Sequence, residues 1–220
     1  MPDLETIDKK QADLIRKVQA AAVFVGPLTA APPTAFTSGA SADLTALPAG
    51  FKPIGLVTKD DAYTWNRETD MAETTSHGRV DPTRRDITSN VSSLAFSAQE
   101  TNITNLELYH NVDLSGVTPT TITGEVAFSD PLAPATVRRR LISIGRDGIG
   151  TNAIYLVRVM PMAMMSEPGE QTWSDEGELV YPMTFTATPD DTLGYAIRYH
   201  FGGPGWRSLL VKMGFPAVAP

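Results

Sequence analysis

The chain has 220 residues, 42% of them hydrophobic and 20% charged, with a formal net charge of -7 and an isoelectric point near 4.9. That balance fits a soluble globular protein with apolar material for one large β domain or two small ones. It argues against a surface that grips nucleic acid through clustered Lys and Arg. With no cysteine there is neither a disulfide framework nor a thiolate metal site, which fits synthesis in the cytosol. The start MPDLETIDKK lacks the features of a signal peptide, and the early apolar run at 20–25 is too short to cross a bilayer, so no membrane association is expected.

Residues 5–25 read either as a helix, from the spacing of Ile7, Leu14, Ile15 and Val18, or as an extended arm leading into a strand, from the alternation of Val18, Ala20, Ala22 and Phe24. We take the second reading. Pro27, Pro32, Pro33 and Pro48 make 26–50 a linker or surface excursion. Residues 54–57 and 94–98 read as strands, and between them lies a charged passage, 65–86. From Asn66 to Asp86 its only apolar residues are Met71, Ala72 and Val80. Connections of that length in a compact domain are either solvated and mobile or built for a contact. We expect a loop that docks on a neighbouring copy.

In 93–99, Leu94, Phe96 and Ala98 face one way and small polar residues the other. Thr101 or Asn102 can cap a short helix whose Ile103, Leu106 and Tyr109 share a side, with Asn111 ending it. Alternation then predicts strands around Ile122, Val126 and Phe128, over 137–144 and 154–160 on either side of an Asp147-Gly148 turn, over 179–188, and over 193–201. Pro182 cannot donate to a ladder, so 179–188 is expected at a sheet edge or with that amide position directed outward. The fold class is mostly β, sandwich-like and antiparallel, with one helix.

Candidate chemistry is sparse. His77, His110 and His200 have no partner at a recognised metal spacing and read as surface or interface polar residues. Asp175, Glu176, Glu178, Asp190 and Asp191 do not follow a calcium-loop pattern and read as solvated turns. G-x-S-x-G is absent, and IGRDGIG reads as a hairpin tip rather than a phosphate loop. Within the basic run, strand alternation points Arg139 away from Arg138 and Arg140. Met160, Met162, Met164 and Met165 read as core filling.

The succession GFKPIGLVTKDD (50–61), WNRET (65–69), DPTRRDITS (81–89), LAFSAQETNITNLELYHNVD (94–113) and LVYPMTFTATPD (179–190) resembles the major tail protein, or tail tube protein, of long-tailed bacteriophages, especially those infecting actinobacteria. No single motif carries the likeness. Its specificity lies in the order, and 1–49 departs most from the pattern.

The resemblance implies an antiparallel β-sandwich or barrel with one short flanking helix near 102–110 and a long inter-subunit loop at 65–86. It divides the chain into an amino-terminal arm and Pro-rich linker (1–49) and a tail-tube domain (50–220), with no immunoglobulin-like domain after it. It implies a structural, non-catalytic virion protein with no cofactor or metal, made in the host cytoplasm. Such a subunit self-assembles into homohexameric rings that stack into a tube, and double-stranded DNA passes through the lumen without specific binding during ejection. Partners at the tube ends are the tape measure, tail terminator and distal tail proteins. On this resemblance Trp65, Arg67, Glu68, Arg79, Arg84, Arg85 and Asp86 are expected at the subunit interface. A sixfold ring would carry 6 × -7 = -42 formal charges, which suits a lumen that does not hold DNA. The alternatives are a monomeric β-sandwich module for carbohydrate or surface recognition, which needs an aromatic platform from Trp65, Trp173 and Trp206, and a capsid decoration protein. A hydrolase, needing two paired acids, ranks below both.

Overall fold

A computed structural model describes residues 3–60, 62–133 and 135–217; Asp61, which ends the GFKPIGLVTKDD motif, falls outside them. The strands are β1 (Ala20–Gly26), β2 (Thr37–Ser38), β3 (Asp43–Leu44), β4 (Lys52–Pro53), β5 (Thr64–Thr74), β6 (Arg84–Ala98), β7 (Arg138–Asp147), β8 (Ile154–Pro168), β9 (Tyr181–Thr188) and β10 (Arg198–Gly202). Three short helices accompany them: α1 (Leu4–Ile7), α2 (Ile103–Tyr109) and α3 (Pro204–Leu209). Eight strands form one antiparallel sheet in the order β4-β1-β7-β8-β9-β6-β5. The last of the eight, β10, pairs with β8 over 155–159, and β9 pairs with β8 over 162–168, so the long β8 serves two neighbours in succession. The small β2–β3 hairpin stands apart. The class is therefore mostly β and antiparallel, with α2 as the flanking helix.

Strict alternation places the core. In β9, Tyr181, Met183, Phe185 and Ala187 are buried and the residues between them are half-exposed. Leu94, Phe96 and Ala98 of β6 face the same way, and Phe96 stacks on Phe185 at 5.8 Å. They share one cluster with Val23 and Val25 of β1 and Leu141 of β7, which lie toward the opposite end of the strand order. Such contacts require the sheet to curl until its two ends face each other. A smaller cluster on the outer side gathers Ile142, Val157 and Val159 under Phe36. The Pro-rich excursion thus supplies a cover as well as a linker.

The curl is fastened where the chain leaves β4. Ile54 N donates to Val23 O, on the β1 side. Three residues later Val57 bridges Ala98, Thr58 N donates to Ser97 O, and Gln99 N donates to Leu56 O, all on the β6 side. The expected strand at 54–57 is thus a crossing rather than a regular ladder. Gly55 makes the turn at φ +86°, and a Cβ there would stand 2.1 Å from the Glu100 carboxyl carbon. Glu100 Oε1 in turn accepts from Leu56 N at 2.8 Å. Beneath the crossing, the fully buried Asn105 of α2 donates its Nδ2 to Ile54 O and to Glu100 O, both at 2.8 Å.

Helix α2 begins as expected, with Asn102 Oδ1 accepting from Asn105 N, and it is followed by Asn111 at φ +53°. Leu106 and Tyr109 pack against the core as expected, but the most deeply buried positions are others. Thr104, Asn105 and Leu108 face inward and Ile103 is half-exposed, because the polar amide of Asn105 is needed at the crossing.

Other expectations are corrected. The strand expected around Ile122, Val126 and Phe128 does not form: Gly124 takes φ +71°, its N donates to Thr120 O, and the Thr120 and Thr123 hydroxyls bond each other, curling the segment into a turn. The strand expected over 193–201 shrinks to β10, because Asp190 Oδ1 accepts from Thr192 N and Leu193 N and makes a tight turn first. Asp190 is buried, with Oδ2 3.9 Å from Arg140, and is no solvated acid. β9 is interior rather than an edge: Pro182 pairs with Ser97, while its carbonyl accepts from Gly169 N just past the end of β8. Its missing N–H therefore points to where β8 has ended, the second of the two accommodations anticipated. Finally, β1 lies inside the sheet between β4 and β7, so residues 20–26 belong to the same body as those after 50.

The crossing yields a prediction. Asn105→Ala removes two buried donors and leaves the carbonyls of Ile54 and Glu100 without them, so urea unfolding should show a loss of about 2–4 kcal/mol. An unchanged midpoint would mean that the closure does not depend on this amide.

Candidate subunit interface

The charged passage at 65–86 is not a structureless loop. β5 and β6 pair in register from Thr64↔Ala95 to Thr74↔Arg84, with a shift between Asp70 and Met71, and the turn lies at 75–83. Charged and Thr-rich residues here alternate across a ladder instead of remaining coil, because β6 extends beyond the core and offers β5 a template. Only the Ser93–Ala98 part of β6 is also paired with β9. Beyond it the two strands run free for eight residues of β5, 67–74, about 27 Å, as an arm exposed on both faces.

Opposed residues share a face, so the arm can be sorted. One face continues the core side of the sheet: Trp65 opposite Leu94, Arg67 opposite Ser92, Thr69 opposite Asn90, Met71 opposite Ile87 and Glu73 opposite Arg85. The other carries Asn66, Glu68, Asp70, Ala72 and Thr74 opposite Ser93, Val91, Ser89, Asp86 and Arg84. The register shift leaves Thr88 as an extra residue on β6, a bulge that adds local twist.

The residues singled out from sequence therefore occupy three places. Trp65 sits half-buried at the arm's base, while Arg67 and Arg85 follow it along the core-side face. Arg67 Nε donates to Asn90 Oδ1 at 2.8 Å, and Arg85 Nε pairs with Glu73 Oε1 at 2.8 Å. Glu68, Arg84 and Asp86 share the opposite face, where Glu68 accepts from Asn66 Nδ2 and Arg84 Nε meets Asp86 Oδ2 at 2.6 Å. Arg79 is in the turn, its N donating to Ser76 O. All these pairs are solvent-exposed, each contributing at most about 1 kcal/mol. They straighten the arm without giving it a core. Met71 and Ile87, opposite one another and 60% and 67% exposed, are an apolar step with nothing of their own subunit above them.

At the arm's base the space between the two halves of the curled sheet opens into a mouth of about 630 Å³. Its walls include Ala21, Gly145, Leu156, Trp65 and Phe201. Arg158 stands inside, its guanidinium 4.5 Å from the Trp65 ring and 5.5 Å from the Tyr199 ring. Ser143 and Tyr199 pair with Arg158 on its two sides, so all three lie on the same side of the sheet. Desolvation lowers the Arg158 pKa from its ordinary value. No carboxylate among the described residues pairs with it. Sequence reasoning missed Arg158 because one Arg in a mostly apolar strand carries no motif. The one available signal is that it stands where alternation asks for a core residue, two before Met160 and two after Leu156.

Of the three histidines, His77 lies in the arm's turn, His110 Nδ1 is 3.4 Å from Asp130, and His200 packs edge-on against Phe36. Among the described residues no three His, Cys, Asp or Glu side chains gather as a metal site would require, and no helix is long and apolar enough to cross a membrane.

No curated protein matches the chain. Residues 10–198 match the family described as phage tail tube protein. The match begins within the amino-terminal stretch where the motif resemblance is weakest, and it takes in β1, the arm, α2 and β9. With most of its length accounted for in this way, the chain belongs to the phage tail tube protein family.

Proposed function

We propose that this structural tail protein assembles as sixfold rings that stack into a tube, the conduit for double-stranded DNA during ejection. The observation that carries the reading is the arm. An isolated two-stranded hairpin is marginal in water, and this one projects about 27 Å from its sheet with neither face covered. A neighbouring copy that covers the Met71–Ile87 step would supply the missing contact. Trp65, Arg67, Glu68, Arg79, Arg84, Arg85 and Asp86 are then interface residues, and their present partners within the arm exchange for, or add to, groups on the neighbour. The division into an amino-terminal arm and linker over 1–49 and a tube domain over 50–220 is modified in this reading: β1 joins the tube domain, and the segment before it remains an arm.

The net charge of -7 per subunit disfavours attachment of DNA to the wall, so DNA slides through without specific binding. Tape measure, terminator and distal tail proteins are the partners at the tube ends, and the subunit acts in the virion tail without catalysis. A carbohydrate-binding module is less well supported. Trp65 lies under Arg158, Trp206 stacks on Phe201 at 5.2 Å, and Trp173 stands on a separate loop, so these rings do not make a common platform.

Electron microscopy of the purified protein should reveal six-membered rings or hollow tubes; a monomer at every concentration and salt condition would overturn the assembly reading. Joining Glu68 to Val91 through an Asn-Gly turn removes the outer arm while keeping its base. That variant should unfold within a few degrees of the parent and fail to polymerise, and tubes of normal length would show the arm to be dispensable. In the unassembled protein, trypsin should cut first at Arg79 and leave the remaining sheet intact, whereas assembled protein should resist at that site.

A further inference from the structure

The loop between β8 and β9 has the complementary chemistry to the mouth around Arg158. Residues 170–178 contain Glu170, Asp175, Glu176 and Glu178 and no Lys or Arg. Trp173, at the loop's centre, is 87% exposed. Exposure of an indole is costly unless something covers it, and Trp is among the side chains most enriched in binding hot spots. The loop is also held ready. Tyr109 Oη donates to Gly169 O at 2.7 Å, Gly169 N donates to Pro182 O at 2.8 Å, and Gln171 Nε2 donates to Val180 O at 2.9 Å. Its base is fixed while 172–177 stand clear.

The mouth is the reverse. Among the described residues its lining carries Lys17, Lys59 and Arg158 and no carboxylate, in a protein whose net charge is -7. Its apolar walls enclose about 630 Å³, inside the roughly 300–1,000 Å³ range of cavities that hold compact ligands. Arg158 is half-buried without an anion among the described residues, a cost that a carboxylate entering the mouth would remove. The loop cannot fill the mouth of its own subunit. Arg158 and Pro168 lie on one strand, ten residues and about 33 Å apart, and the loop starts beyond Pro168.

We propose that the mouth of one subunit receives the 170–178 loop of a second copy, with Trp173 between the walls made by Trp65, Leu156 and Phe201 and the loop carboxylates facing Lys17, Lys59 and Arg158. The contact joins unlike ends of two subunits, so it is heterologous and propagates rather than closing as a twofold dimer. It rests on the self-assembly reading and assigns that assembly a specific joint.

The chain contains no cysteine, so an engineered pair reports without background. Lys59→Cys protein mixed with Asp175→Cys protein, polymerised and mildly oxidised, should give disulfide-linked dimers on a non-reducing gel, and neither variant alone should. Tubes that form from the mixture without cross-links overturn the joint and leave the tube reading standing. Parent protein that never polymerises overturns both. A second variant avoids any folding question, because Trp173 is exposed: Trp173→Ala should raise the concentration needed for assembly about tenfold or more, with an unchanged unfolding temperature. An unchanged assembly threshold overturns the joint.

Discussion

The molecule depends on the few backbone bonds by which residues 54–58 pass from β1 to the end of β6. An open sheet with β1 near one end and β6 near the other would expose Val23, Val25, Leu94 and Phe96 to water. Once the crossing is made, those residues face each other and form one core. The crossing demands a glycine at 55, an acid at 100 close enough to receive Leu56 N, and a buried amide at 105 to take up the carbonyls of Ile54 and Glu100. The Glu100–Leu56 bond is exposed, but Asn105 and the Ile54 carbonyl it serves are buried against the apolar cluster, where an unmet hydrogen bond is most costly. That is why α2 turns Asn105 inward beside Leu108.

From this closure follow the arm and the mouth. Because the sheet curls, the inner face of β6 is saturated only as far as Ser93, and the strand pair beyond it leaves the body. The same curl leaves a gap at the arm's base, where small residues, Ala21, Ser143 and Gly145, take the places that larger core residues fill deeper in. One strand set thus gives a dry interior, an opening and a projection, in that order along β6. The division of labour is energetic: apolar burial supports the body, and cross-strand ion pairs such as Arg85–Glu73 merely keep the projection straight.

How far the chain disclosed this from its letters varied with the physics involved. Alternation identified β7 and β8 as strands, and the core part of β6 and all of β9 together with their buried faces, because burial of every second residue is a local property with a strong signal. The capped helix and the Asp147-Gly148 turn were legible for the same reason. Alternation misled at 121–128, where threonine hydroxyls and Gly124 bend the backbone, and at 193–197, where Asp190 does so; both are side-chain-to-backbone competitions that apolar spacing ignores. The arm read as coil because it has no apolar period, and its order comes from its partner strand. The arm residues could be picked out by charge in an unburied stretch. Arg158 could not, since its meaning depends on Trp65 and Tyr199, each distant in sequence and brought near only by the fold.

The unlike ends of β8 give the subunit a direction. A cationic hollow marks one pole and an acidic, tryptophan-bearing crest the other, so objects stacked along that axis cannot read the same upside down. Growth at one terminus would meet different chemistry from growth at the other. A stopper fitted to the crest would be repelled by, or indifferent to, the hollow, and orientation along a tail could be conveyed from the first subunit to the last without any separate signal.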